Sequence, residues 1–507
     1  MNMLNREVLS ANEAVYDGCQ EQPIDLDISL PDYCPDIQRI LKCQVLPSIS
    51  SRSVSGDRLE VEGTCTVRIY YLDAGGTNVH CYETESPYLA AATLKQPVEQ
   101  PRIYTSTRVE YVNCRSTSPR RLDIHGAFSV CARVCGKMDM EFVSSAEDDS
   151  MEQLPSEYRC NFCTGFSQQP FTVEDTLELS PGKLPAETVL RTDACAVLKT
   201  AEPMQGQVMA AGEVRLHILY ASGEENAEPE SMEYVMPFTQ LLDCDGVTED
   251  STCRVQMAVS RIEIQIRADY TGESSAFETH IHLLSSVSNF QPKVLSALSD
   301  VYSRTCELNV TRKQKMLESL SEIVSDTCSH RFSVQCDNGL TKILDLWSEP
   351  CTVTAAVDNG QLQFSGKLSI CVLALNQEGV PFYFERTSEF SCSKPIETKY
   401  ETRCTAEGTI LSLSYRLTGG EIELKAEIML TAEVYELQTV KFITDIEEDI
   451  ARPKEKDTAA LCIYFADAGE KLWDIACRYC TSVRAIREEN GLTGDAVESR
   501  GMLLIPM

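Results

Sequence analysis

Leu59-Glu60-Val61-Glu62-Gly63-Thr64-Cys65-Thr66-Val67-Arg68-Ile69-Tyr70-Tyr71-Leu72 alternates apolar and polar side chains. That is the period of a strand with one buried face. The pattern returns twice. Val208-Met209-Ala210-Ala211-Gly212-Glu213-Val214-Arg215-Leu216-His217-Ile218-Leu219-Tyr220 carries it, and so does Leu362-Gln363-Phe364-Ser365-Gly366-Lys367-Leu368-Ser369-Ile370-Cys371-Val372-Leu373. A glycine sits in the middle of each, and the repeat period is about 150 residues, too long for a stacked solenoid. Each segment runs into a turn: Asp73-Ala74-Gly75-Gly76, Ser222-Gly223-Glu224-Glu225 and Asn376-Gln377-Glu378-Gly379.

A second alternating run follows each glycine strand, around Leu122-Asp123-Ile124, Val255-Gln256-Met257 and Ile422-Glu423-Leu424. A shorter lead-in precedes each one, at Pro35-Asp36-Ile37, Pro185-Ala186-Glu187 and Leu340-Thr341-Lys342. Strands at regular spacing with turns between them predict three tandem β-sandwich or barrel-like domains. Their expected extents are 1–150, 151–295 and 296–450. The polar run 144–150 reads as a linker, and Leu317, Leu320 and Ile323 hint at a helix. A linker is expected at 451–460, before a last module at 461–507.

That module has its own pattern. Ile463-Tyr464-Phe465 reads as a strand. Leu472, Ile475, Ala476 and Tyr479 mark one face of a helix, and Val483 and Ile486 begin a second that Asn490-Gly491 stops. Met502 to Ile505 closes as a strand ended by Pro506. The order is βααβ, a small α+β domain.

These residues resemble a LysM module: Gly469 before Leu472-Trp473-x-Ile475-Ala476, Asn490-x-Leu492, and Gly501-x-x-Leu504-Ile505-Pro506. The resemblance implies two helices on one side of a two-stranded sheet. It also implies a groove for N-acetylglucosamine polymers between the loops at 467–471 and 491–496. Candidate binding residues are therefore Asp467, Ala468, Gly469, Glu470, Lys471, Gly491, Leu492 and Thr493. Trp473, Tyr479 and Arg484 join them if exposed. The family usually places a serine or threonine where this chain has Lys471, which cannot accept a hydrogen bond from the helix N-terminus.

Three β-rich repeats followed by such a module resemble the SPOCS-domain proteins of spore-forming clostridia. The residues carrying this are Ile28-Ser29-Leu30-Pro31-Asp32-Tyr33-Cys34-Pro35-Asp36-Ile37, the three glycine strands and Asp300-Val301-Tyr302-Ser303. The resemblance implies three SPOCS-type domains and a non-enzymatic role in spore coat assembly. The expected place is the mother-cell cytoplasm, at the forespore surface. The implied partner is the coat morphogenetic ATPase known as stage IV sporulation protein A, docked by the LysM module, with self-association of the β domains. The alternative is a protein that binds peptidoglycan, or another N-acetylglucosamine polymer, through that module.

Composition narrows the classes. Of 507 residues, 43% are hydrophobic and 24% charged, which is ordinary for globular domains. A net charge of −32 argues against a nucleic-acid partner. No apolar run is long enough to span a bilayer, and the first residues lack a signal-peptide pattern, so a cytoplasmic protein is expected. The 23 cysteines include C-x-x-C pairs at Cys160/Cys163 and Cys477/Cys480, too far apart in sequence to read as one zinc site. His280 and His282 share a strand face, the other weak metal pattern. Phosphate-loop, nucleophile-elbow and zinc-protease motifs are missing. No catalytic residue, metal or cofactor is expected.

Overall fold

The computed structural model describes residues 3–224, 227–268, 275–336, 339–418, 421–454 and 460–507. Glu225, the last residue of the second expected turn, and 455–459 within the expected linker lie outside them. The chain is almost entirely strand. The first six strands are β1 (Met3–Ser29), β2 (Ile37–Ser55), β3 (Arg58–Asp73), β4 (Val79–Thr93), β5 (Arg102–Ser118) and β6 (Arg121–Glu147). They make two antiparallel sheets, ordered β2-β3-β4 and β1-β6-β5. The glycine strand β3 is the centre of the smaller sheet. Its inward residues Val61, Cys65, Val67, Ile69 and Tyr71 meet Leu122, Ile124, Phe128 and Val130 of β6 in one core.

The plan repeats. Strands β7 (Met151–Glu178), β8 (Ala186–Met204), β9 (Gln207–Ser222), β10 (Glu230–Asp243), β11 (Thr252–Ala268) and β12 (Ser275–Ser303) form sheets β10-β9-β8 and β11-β12-β7. The third set is β13 (Cys306–Gln335), β14 (Lys342–Ser348), β15 (Thr352–Asp358), β16 (Gln361–Leu375), β17 (Pro381–Pro395), β18 (Glu401–Thr418) and β19 (Glu421–Pro453). There β14 and β15 share one edge of β16, separated around Pro350, which cannot donate to a ladder. The central strands are β9 and β16, so the sequence repeat is the repeat of this small sheet.

The expectation of barrel-like domains is corrected here. Among the described residues every sheet of the three repeats is open, with three or four strands, and none closes on itself. Three or four strands are too few to curl around an interior of side chains, which takes about eight. Apolar faces are covered instead by packing one open sheet on another. The helix hinted at by Leu317, Leu320 and Ile323 is part of strand β13. A register shift between Leu320 and Glu322 breaks its alternation, and the strand passes from one core, holding Leu317, to another, holding Cys328.

The long strands outrun their neighbours. Strand β5 stops where Arg102 pairs with Cys135, β11 where Thr252 pairs with Phe290, and β18 where Glu401 pairs with Leu437. Beyond these points β1/β6, β7/β12 and β13/β19 continue as two-stranded ribbons. A lone ribbon is marginal in water. The three ribbons pack on one another, joining Leu9, Phe142, Phe162, Leu295, Leu317 and Phe442 in one cluster, and Val143, Met151, Leu298, Val301 and Ile443 in the next.

At the other end the three small sheets meet. Leu72, Leu190, Leu219, Leu344 and Leu373 form a shared core there. Lys42 pairs with Tyr70, Arg191 with Leu219 and Asp345 with Leu373, the same place beyond the glycine in each repeat. The fully buried Arg191 donates from Nε to Asp345 at 2.8 Å and lies 4.5 Å over the Trp347 ring. Lys42 reaches Glu385 at 2.7 Å, and Arg68 donates to the Thr192 carbonyl. Each repeat therefore grips both others.

The chain ends in β20 (Leu461–Ala466), α1 (Leu472–Tyr479), α2 (Val483–Asn490) and β21 (Gly501–Pro506), with β20 and β21 antiparallel. Leu472, Ile475, Ala476, Ile486, Leu503 and Ile505 fill its core. This is the expected βααβ order.

Candidate functional site

The two loops expected to form a groove lie side by side. Gly469 N–H donates to the Val497 carbonyl at 2.8 Å, Val497 N–H to Glu470 at 2.9 Å, and Leu472 N–H to Asp495 at 2.9 Å. Gly469 has φ +87°, open to glycine at no steric cost. Glu470 organises the first loop. Its carboxylate accepts from the Asp467 N–H at 2.9 Å and from the Tyr464 hydroxyl at 2.8 Å. These bonds hold it below the usual carboxylate range. Lys471 stands at the N-cap of α1 and makes no side-chain cap, whereas Ser482 caps α2 by accepting from Ala485 N–H at 3.0 Å. Asp467, Ala468, Gly469, Lys471, Gly491 and Thr493 are exposed, and Leu492 is half-buried.

The aromatic residues near this groove are committed elsewhere. Trp473 donates to Asp300 at 3.0 Å and packs edge-on to Tyr302, ring centroids 4.9 Å apart. The Tyr302 hydroxyl donates to the Thr481 carbonyl at 2.7 Å. Burial pushes that phenol well above the ordinary tyrosine range. Both Asp300 and Tyr302 belong to β12, so helix α1 is anchored to the ribbon end of the second repeat. Tyr479 packs on Tyr464, and Arg484 is exposed and paired with Glu488 at 2.7 Å.

Sequence reasoning missed the opposite face of the module. Two helices cover one side of β20/β21 only. The uncovered side presents Phe465 at 73% exposure, Ile463 at 58%, Met502 at 56% and Leu461 at 41%. Phe465 lies opposite Met502 and Ile463 opposite Leu504, so these side chains form one stripe. The signal was present in the chain: Cys462-Ile463-Tyr464-Phe465 is apolar on both parities, beside a helical layer that can cover only one.

A cavity of about 700 Å³ lies where the three repeats meet, lined by Arg102 and Tyr104 of the first, Gln256 of the second and Arg403 and Tyr435 of the third, among others. Its carboxylates are tied to arginines. Glu318 takes Arg133 at 3.1 Å and Arg403 at 3.0 Å, and Glu433 takes Arg254 at 3.1 Å. Such pairs fix the repeats to each other.

The weaker sequence patterns stay apart. Cys160 is buried in the ribbon core and Cys477 lies in the terminal module. His280 pairs with Glu174 at 3.1 Å, and His282 lies 3.5 Å from Glu263. Among the described residues no group of three or more His, Cys, Asp or Glu is arranged to hold a metal, and no helix is long and apolar enough to cross a membrane.

The lead-in loop is built with care. Arg120 donates to the Cys34 carbonyl at 3.0 Å and to Asp36 at 2.8 Å, leaving Tyr33 in solvent at the tip. Fold and site together describe a multi-sheet β protein with an attached βααβ module. The strands that follow this loop are similar to a known family. The family model described as SipL, SPOCS domain, matches residues 36–117 and 185–267. Those segments hold β2–β5 and β8–β11. No curated protein and no solved structure matches the chain.

Proposed function

We propose that this chain is a non-enzymatic assembly protein of the spore coat, and that its terminal module is a LysM domain that docks the coat morphogenetic ATPase. On this reading the β repeats, bounded near 150, 295 and 450, form the scaffold on the forespore surface in the mother-cell cytoplasm. The likeness of two segments to the SipL, SPOCS family supports the sporulation setting. The observation that carries the docking role is the bare stripe Leu461, Ile463, Phe465 and Met502. Among the described residues these apolar side chains have no partner, which favours a protein surface, since burial of such side chains contributes about 1.5–3 kcal/mol each. The neighbouring loops, with Asp467, Glu470, Lys471, Leu492 and Thr493, supply the polar rim.

A second reading, glycan binding, rests on the paired loops, where the resemblance to LysM modules places N-acetylglucosamine polymers. Against it, Trp473 and Tyr464 are already engaged within the chain. One experiment separates the two. Full-length protein is offered to the purified coat ATPase and to insoluble peptidoglycan. The expected result is capture of the ATPase, lost at least tenfold in Phe465→Asp/Met502→Asp and weakened in Lys471→Glu/Leu492→Asp. Retention on peptidoglycan without capture of the ATPase overturns the proposal.

A further inference from the structure

Most cysteines are scattered through the cores as small apolar residues, but two pairs stand out because they join different sheets. Cys43 on β2 belongs to the small sheet of the first repeat and Cys114 on β5 to the large one. Both pack in the same core, at strand edges that meet where the Thr107 hydroxyl of β5 donates to the Pro47 carbonyl of β2 at 3.1 Å. In the third repeat Cys328 on β13 faces Cys392 on β17, again large sheet to small sheet inside one core, between the contacts of His330 with Ser388 at 2.8 Å and of Lys394 with Asp326 at 2.9 Å. In each pair one residue is buried and the other half-buried: Cys114 and Cys392 are the less buried members. The existing disulfide, Cys19–Cys131, differs from both, since it links neighbouring strands of a single sheet.

We propose that Cys43–Cys114 and Cys328–Cys392 are oxidation sites whose disulfides clamp the two sheets of the first and third repeats together. The facing Cys43 thiol favours the Cys114 thiolate and outweighs its burial, while Cys114 and burial push Cys43 up. Cys114 is thus the attacking sulfur and Cys43 the resolving one. The oxidant is a small-molecule disulfide such as oxidised glutathione. The Cys114 thiolate attacks one of its sulfurs and expels a thiolate. Cys43 then loses its proton and attacks Cys114 in the mixed disulfide, expelling the second thiolate. Two protein thiols are oxidised, one external disulfide is reduced to two thiols, and the two protons end on those thiols. Cys392, the less buried of the other pair, and Cys328 close by the same two exchanges.

The inference stands apart from the assembly role. Its consequence is mechanical: peeling one sheet from the other would then require breaking a covalent bond as well as opening a core.

The test uses the full chain, purified reduced and then treated with oxidised glutathione while folded. Free thiols are alkylated and the digest is mapped by mass spectrometry. Expected are linked peptides joining Cys43 to Cys114 and Cys328 to Cys392. The thermal midpoint should rise by about 5 °C or more relative to the reduced chain. Cys114→Ser/Cys392→Ser, expected to fold with the reduced chain's midpoint, should lose that rise. Cys43→Ser should trap glutathione on Cys114. Recovery of Cys43 and Cys114 as unlinked thiols after oxidation, or an unchanged rise in the double variant, overturns the proposal.

Discussion

At Gly63, Gly212 and Gly366 the missing side chain is replaced by a ring from the next strand. Each glycine lies directly opposite an aromatic residue, Tyr88, Phe238 or Phe390. A Cβ at Gly366 would meet the Phe390 ring and the Thr352 carbonyl, the latter at 2.8 Å. Gly366→Ala should therefore lower stability by about 1–3 kcal/mol in urea unfolding, as overpacking does. The repeated glycine was legible in the sequence. Its reason was not, because the ring that needs the space lies on a different strand. The same holds for Asp345, which reads as an ordinary surface acid but is 3% exposed. Burial pushes its pKa up, but the Arg191 charge and the His217 bond outweigh that and hold it at about 2, against 3.8 for a free aspartate. A depressed carboxylate stabilises the fold above its unfolded pKa, and that stability is lost as pH falls from near 4 through about 2. The contribution is at most about 2.5 kcal/mol. Asp345→Asn should unfold more easily at neutral pH, by about 3–5 kcal/mol, because Arg191 loses its buried counter-charge. Its deficit relative to the native chain should shrink as the pH of the unfolding experiment is lowered toward 2.

Strands announced themselves by alternation wherever one face meets a core and the other meets water. That logic failed where an element changes surroundings along its length. Strand β13 passes from the ribbon bundle into a sheet pair, and its buried positions slip at the bulge after Leu320. In the terminal module both helices were legible from their apolar faces, and so was the lack of a side-chain cap at Lys471. Lys471→Ser should add about 0.5–1 kcal/mol to the module's stability, and Ser482→Ala should remove about 1 kcal/mol. Both are measurable by hydrogen exchange of α1 and α2. The bond from Trp473 to Asp300 could not be anticipated, since nothing local links position 473 to 300. Trp473→Phe removes it while keeping most of the packing on Tyr302. Exchange should quicken across 461–507 and stay unchanged in the three small sheets.

For the molecule as a whole, the three glycine strands and the closing βααβ order were legible in the sequence, but not how these parts meet. Contacts among them rest on residues such as Arg133, Glu318 and Arg403, which look like scattered surface charges in the linear chain. Glu318→Gln leaves two arginines facing the cavity without their shared carboxylate. The first and third repeats should then separate more readily, seen as a lower thermal midpoint at low salt than at high salt, where screening relieves the repulsion.

The junction of the small sheets sets an order. Lys42, Arg191 and Asp345 occupy one place in three copies of the same pattern. Three identical subunits around an axis would have to put one residue there three times, and three like charges with no counter-ion would drive a ring apart. A single chain has no such restriction and holds two cations and an anion there, so the repeats are not interchangeable. Each has one seat, decided by the charge of its neighbours, so a chain with its repeats reordered, or with one left out, has no way to complete the circle.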